Sequence, residues 1–184
     1  MEGFMHKCLF GVLSTVLLFS FQSCKGDSEK VTSQNEWNDS TSIGFNKDRV
    51  KEEELQINLY LSHHSELKLK PSGTGLRYQI TKETDGNRAE SGDSVDVEMK
   101  ISLLDGKVCY NTDSLELDQF LIDRSQVESG IQEGIKLMKE GERAVFILPS
   151  NLAHGLLGDF ETIPPMSPIV VNLELIKVIK NKTN

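Results

Sequence analysis

Apolar and polar residues alternate along several short segments in the second half of the chain. The longest alternation spans residues 95–103, with apolar side chains at Val95, Val97, Met99, Ile101 and Leu103. Polar side chains lie between them, and this pattern predicts a half-buried β-strand that ends in a hairpin turn at Asp105-Gly106. Shorter alternations or apolar runs predict further strands at residues 76–80, 115–122, 145–148 and 169–175.

A helical period appears once among these strands. Val127, Ile131, Ile135 and Met138 are spaced three or four residues apart, and Gly141 follows where a C-terminal cap is expected. Several strands around one helix, without regular alternation of strand and helix, predict an α+β domain. We expect an antiparallel twisted β-sheet wrapped on one short α-helix, with an N-terminal helical extension.

The segment before this domain has two interpretations. Asn46 as a cap and Glu52 to Glu54 in the early turns favour a helix from residue 46 to about 63. Leu55, Ile57, Leu59 and Leu61 alternate with period two, which suits a strand equally well. We predict a helical extension over residues 46–74, and Pro71, Gly73 and Gly75 then separate it from a folded domain over 75–184.

The first residues have the pattern of an export signal. Lys7 precedes an apolar run over residues 9–21, which is too short to span a bilayer and is followed by Ser23-Cys24. The pattern predicts a lipoprotein-type signal peptide over 1–23, in which Cys24 is acylated (palmitate) and becomes the first residue. The alternative is ordinary secretion with a chance cysteine, and under either interpretation the chain leaves the cytoplasm.

Residues 24–45 are polar and lack apolar periodicity. Such a segment cannot bury enough surface to offset its ordering entropy, so we predict a disordered tether. We expect the mature protein to be a monomer in the bacterial cell envelope, held on the membrane by its lipid.

Composition excludes several classes of function. The 184 residues have a formal net charge of −8, which argues against nucleic acid as a partner because phosphate binding needs a basic face. The three cysteines form no C-x-x-C pair or Cys/His cluster with zinc-ligand spacing. We therefore expect neither a metal nor a cofactor.

Five pieces in order resemble the FKBP family of peptidyl-prolyl cis-trans isomerases over about residues 75–179. They are LLDGK at 103–107, QVESGIQEGIKLMKEGERA at 126–144, LPSNLAHG at 148–155, TIPPMSPIV at 162–170 and LELIKV at 173–178. With its leader, the chain is most similar to the envelope-anchored FKBP lipoproteins of gliding bacteria. The resemblance implies isomerisation of X-Pro bonds in unfolded or partly folded envelope proteins, performed by an apolar pocket without a catalytic acid, base or nucleophile.

The family's pocket falls on a mixed set of residues in this sequence. An aligned Phe-Asp pair becomes Tyr110-Asn111, or Cys109-Tyr110 if no residue is inserted, and the floor tryptophan becomes Ile131. A tyrosine that donates to substrate carbonyls becomes His154, and an expected aromatic falls on Asp118. The catalytic candidates are Tyr110, Asn111, Val127, Ile131, His154 and Ile163. The candidates for the rest of the substrate pocket are Met99, Phe120, Glu128 and Val171.

The loss of several aromatics leaves two hypotheses for function. In the first, the remaining apolar residues still form a cradle and isomerase activity is reduced but real. In the second, the fold persists as a non-catalytic chaperone or assembly module. Val127, Ile131 and Val171 also fit a plain role in the core, and Glu128 and Asn111 also fit solvated positions.

Overall fold

The computed structural model describes residues 39–112 and 116–181. Two helices, α1 (Asp39–His63) and α2 (Ser129–Ile135), accompany seven strands and a 3₁₀ turn at Ser150–Leu152. The strands are β1 (Lys70–Pro71), β2 (Arg77–Lys82), β3 (Ser94–Leu103), β4 (Val108–Asn111), β5 (Asp118–Leu121), β6 (Arg143–Leu148) and β7 (Ile169–Ile179).

All strand pairs are antiparallel, and the spatial order is β1-β2-β6-β7-β3-β4, with β5 also paired to β3. β3 and β7 lie at the centre and pair from Ser94↔Ile179 to Leu103↔Ile169, with one irregularity between Asp96 and Val97. The predicted α+β class and antiparallel sheet are therefore confirmed.

One face of the sheet, the inner face, forms the main core with α2. Because successive side chains on a strand point to opposite faces, the alternating residues of β3 and β7 supply a continuous apolar surface. Val95, Val97, Leu175 and Val171 are completely or almost completely buried there. The alternation that predicted these strands is thus the pattern of burial.

α2 packs closely on the inner face because its sheet-facing side carries glycines. A Cβ atom at Gly134 would lie 2.7–3.0 Å from ring atoms of Phe146, so only glycine fits at this separation. The helix is shorter than its sequence period indicates: it ends at Ile135 with Lys136 as its C-cap. The prediction of Gly141 as the cap is wrong, since Gly141 lies in the turn before β6 and donates its N–H to the Leu175 carbonyl.

α1 confirms the helical interpretation of residues 46–63 but has different limits from those predicted. It begins at Asp39, so the assignment of residues 39–45 to a disordered tether needs correction. Residues 64–74 are not helical and contain the short strand β1. The residues that alternate with period two are divided by the helix: Leu55 and Leu59 are exposed, whereas Ile57 is buried.

The outer face of the sheet carries a second, smaller apolar cluster under α1. Ile57 is 1% exposed and packs with Ile147 of β6 and Val170 of β7. Arg77 of β2 pairs with Glu54 of α1 at 2.5 Å. Sequence analysis predicted one helix on one face, whereas helices pack on both faces.

The predicted signal peptide over 1–23, the acylation at Cys24 and the tether over 24–38 lie outside the described residues. Within residues 39–112 and 116–181, neither helix is long and apolar enough to cross a membrane.

Candidate functional site

The apolar part of the candidate site belongs to the inner-face cluster. Five predicted residues from β3, β5, α2, β7 and the loop before β7 form what we call the floor: Met99, Phe120, Ile131, Ile163 and Val171. Their exposed fractions range from 0 to 9%, and Val127 packs against the same cluster while half-buried. The structure thus brings together six of the predicted site residues.

Ile131 and Val171 are fully buried within this cluster. Ile131 lies on α2, which is held close to the sheet, and Val171 lies on the central strand β7. The apolar side chains of the floor are therefore core side chains, as one of the two interpretations expects, and their role in a substrate pocket stays a prediction.

Tyr110 begins the polar border of the floor. It pairs with Ile101 across β3 and β4, so its ring is on the inner face. Its hydroxyl donates to the Asp118 carboxylate, with oxygen–oxygen distances of 2.7 and 2.8 Å, and Thr112 donates to the same group at 2.7 Å. The hydrogen bond to Asp118 is the main reason that the pKa of Tyr110 is raised, followed by burial.

Asp118 is a site residue that sequence reasoning noted only as a missing aromatic. It pairs with Val97 across β3 and β5, so it faces the floor beside Tyr110. The sequence contained a signal for it. A carboxylate such as Asp118 at an inward position of a half-buried strand needs a hydrogen-bond donor, and Tyr110 lies eight residues earlier.

His154 and Glu128 form a second polar pair, next in sequence to Ala153 and Val127, which pack against the same apolar cluster. Nε2 of His154 lies 2.9 Å from Oε1 of Glu128, and the two side chains are 22% and 20% exposed. When Nε2–H is donated to Glu128, the neutral imidazole presents Nδ1 as an acceptor; an imidazolium presents a donor there instead. We call Tyr110, Asp118, Glu128 and His154 the rim.

The loop over residues 149–168, here the site loop, carries His154 and Ile163. Its second half is organised by Asp159, whose carboxylate accepts backbone N–H groups from Glu161, Thr162 and Ile163 and the hydroxyl of Thr162, all at 2.8–2.9 Å. Burial alone would raise the pKa of Asp159, but these hydrogen bonds hold the pKa well below its usual range. Gly158 permits the tight turn, because a Cβ atom there would lie 2.2 Å from the Ile163 carbonyl oxygen.

Asn111 does not join the other predicted residues. It is exposed and pairs with Lys100, so its side chain is on the outer face, where it lines an open polar cavity of about 540 Å³ with Glu98 and Asn172. The predicted place of Asn111 in the pocket is therefore wrong. Tyr110 faces inward, and the next residue of a strand faces outward. In the part of the chain that the structure describes, no group of three or more acidic, His or Cys side chains is arranged to hold a metal ion.

Comparison with known proteins gives one family and a consistent set of relatives. The model of the FKBP-type peptidyl-prolyl cis-trans isomerase family matches residues 86–176. A probable FKBP-type peptidyl-prolyl cis-trans isomerase FkpA of Neisseria meningitidis is 36% identical over 110 residues, which are 60% of this chain and 40% of the relative. The FkpA of Escherichia coli is also 36% identical, over 111 residues with the same coverage.

Two further comparisons extend over more of the chain. A macrophage infectivity potentiator of Trypanosoma cruzi is 28% identical over 181 residues, covering 96% of this chain and 85% of that protein. The crystal structure of FkpA from Escherichia coli superposes with a TM-score of 0.62 at 26% identity, covering 97% of this chain and 73% of that one. The matched segment spans about 40% of the length of the two FkpA sequences.

Proposed function

The chain belongs to the FKBP-type peptidyl-prolyl cis-trans isomerase family, and from this premise we propose that it catalyses cis-trans isomerisation of X-Pro bonds in cell-envelope proteins. The observation that carries the proposal is the apolar floor bordered by two polar pairs, Tyr110–Asp118 and Glu128–His154. Such an arrangement is suited to a reaction that changes the polarity of an amide without breaking a bond.

The reaction is rotation about an amide bond. The barrier is about 18–20 kcal/mol because twisting removes amide resonance. The twisted amide needs less polar solvation than the planar one, so a dry apolar surface that binds the twisted form better is itself a catalyst. Lowering the barrier by about 5 kcal/mol accelerates rotation by roughly 10³–10⁴.

We assign separate roles to the floor and the rim. The apolar side chains at the edge of the floor, above all Ile163 with the half-buried Val127, exclude water from the proline ring. The rim orients the client backbone: the Tyr110 hydroxyl and the His154 ring are fixed by their carboxylate partners, so they need little reorganisation when a peptide binds.

The test is the rate constant for isomerisation of an X-Pro peptide with the purified protein. We expect acceleration at catalytic protein concentrations and a lower kcat/KM for His154→Ala. His63→Ala is the matched control, since His63 is exposed at the end of α1, and it should retain full activity. Absence of acceleration by the folded wild-type protein would reject the isomerase proposal.

A second candidate function is a binding module with little catalysis. Two observations favour it: Ile131 and Val171 expose no surface to a ligand, and the site loop projects Leu156, Leu157 and Phe160 with exposed fractions of 72, 64 and 83%. Exposed apolar side chains of this size are suited to contact unfolded clients. This function predicts suppressed aggregation of a proline-free client, which the substitutions Leu157→Ser and Phe160→Ser should weaken.

We further propose that the protein acts at the bacterial envelope as a lipid-anchored monomer. The support is the apolar run that ends at Ser23-Cys24, together with the FKBP-type relatives. Replacement of Cys24→Ser should abolish acylation and release the protein from membranes, because each buried CH₂ of an acyl chain contributes about 0.8 kcal/mol. Detergent-requiring membrane association of this variant would contradict the anchor.

A further inference from the structure

We propose that Glu53 of α1 is a positioning residue for the site loop, so that the N-terminal helix is a working part of the isomerase site. The carboxylate of Glu53 accepts the backbone N–H of Ser150 and, at 3.1 Å, its hydroxyl. Ser150 is 8% exposed and begins the 3₁₀ turn that opens the site loop. The contact joins residues 97 positions apart in the sequence.

Ser150 is hydrogen-bonded to the residues on both sides of His154. Its carbonyl oxygen accepts the N–H of Ala153 at 3.0 Å and the N–H of Gly155 at 2.8 Å. Glu53 therefore holds Ser150 through its N–H and its hydroxyl, and the carbonyl oxygen of the same residue accepts from the two neighbours of His154. The first N–H groups of a helical turn have no partner within it, and a carboxylate is well suited to accept them.

The remaining contacts of α1 place this carboxylate. Ile57 packs one helical turn further along, against Ile147 and Val170. The carboxylate of Glu54, adjacent in the sequence, accepts instead from Arg77 on β2 and from Asn58 on α1. His154 is thus held from two directions, by Glu128 through its ring and by Glu53 through the backbone of its loop.

The experiment compares three neighbouring glutamates of α1 in the whole protein. Glu53→Ala removes the contact to Ser150, Glu54→Ala removes the anchor to β2 but leaves the loop contact, and Glu52→Ala changes a largely exposed side chain. Loss of a capping hydrogen bond typically changes a local equilibrium about 5- to 30-fold. We therefore expect amide exchange at Ala153 and Gly155 to rise by about that factor only in Glu53→Ala.

Two further measurements separate positioning from general destabilisation. The imidazole NMR signals of His154 should shift or broaden in Glu53→Ala, and Glu53→Gln should partly restore both the signals and the exchange rates, because the amide oxygen still accepts. Amides of β7 should keep their exchange rates in all variants. Equal exchange in the Glu53 and Glu54 variants, or acceleration spread over the whole domain, would overturn the inference.

The catalytic part of the inference rests on the proposed isomerase function. If the wild-type protein is active, Glu53→Ala should lower kcat/KM, while Glu52→Ala and Glu54→Ala should change it less than twofold. If the wild-type protein shows no isomerase activity, the proposed function fails, whereas exchange at Ala153 and Gly155 still decides whether Glu53 positions the loop.

Discussion

The floor and the rim of the candidate site are built by different physical means. Floor residues such as Ile131 and Val171 occupy periodic positions of helix and strand and are held by packing. Rim residues lie on the short strands β4 and β5, at the N-cap of α2 and in the site loop, and they are held by hydrogen bonds, for example between Glu128 and His154. Because the floor is also the core, changes there affect stability first, whereas the rim can change with smaller consequences for the fold.

The largest effect on stability is expected from a substitution in the floor. Ile131→Ala should lower the free energy of unfolding by about 2–5 kcal/mol, since it leaves a cavity in a fully buried cluster. Denaturant unfolding measures this loss, and Ile176→Ala is the control because Ile176 of β7 is 37% exposed. Similar losses of unfolding free energy in the two variants would contradict the finding that the floor residues are also core residues.

A second prediction concerns Gly134, where α2 lies close to the sheet. Gly134→Ala puts a methyl group against the Phe146 ring at distances that require the helix or the ring to move. Overpacking of this kind costs about 1–3 kcal/mol. Thermal unfolding should show the destabilisation, and Gly73→Ala, where the added Cβ meets nothing within 4 Å, should show little. An unchanged Tm in Gly134→Ala would mean that the close contact of α2 with β6 is not required.

A third prediction uses pH to separate the site loop from the floor. The folded pKa of Asp159 is depressed, so its carboxylate contributes stability that is present above the unfolded pKa, about 3.9, and lost as the pH falls from there toward the folded value. The wild-type protein should therefore lose stability more steeply than Asp159→Asn below about pH 4. At neutral pH the wild-type protein should be the more stable one. Parallel pH profiles of unfolding free energy would contradict this role of Asp159.

The smallest effect on stability is expected at Tyr110 and Asp118. Asp118→Asn should lower the pKa of Tyr110 toward its ordinary value near 10, because the hydrogen bond to the carboxylate is the main cause of the shift. Ultraviolet titration of tyrosine measures this change. Tyr60, whose pKa is raised mainly by burial, serves as an internal control and should not move. We expect the free energy of unfolding to change by about 1 kcal/mol.

The floor could be predicted from the sequence because burial repeats with the geometry of the backbone. Alternation over residues 95–103 located β3, and the spacing of Ile131 and Ile135 located α2. The resemblance supplied the positions of the candidate pocket, but it also placed Asn111 there, although the pleat of β4 turns that residue to the outer face. A register is decided by strand pairing, and one residue of difference reverses the face.

The rim and the role of α1 could not be predicted in the same way. The contact between Glu53 and Ser150 has no local signature, since each residue alone resembles an ordinary solvated one. Tyr110 and Asp118 lie eight residues apart in the sequence, but their hydrogen bond depends on the pairing of both β4 and β5 with β3. Long-range polar pairs depend on the complete fold, whereas periodic burial depends on each segment alone.

The central position of β7 also sets a constraint on the order of folding. β3 pairs with β7 along its whole length, and the partners Val95 and Val178 are separated by most of the domain. Contacts of such high sequence separation are slow to form and leave apolar surface exposed until they do. The sheet therefore cannot close before the residues up to Ile179 are free to pair, so the domain folds only after nearly its whole length has been made.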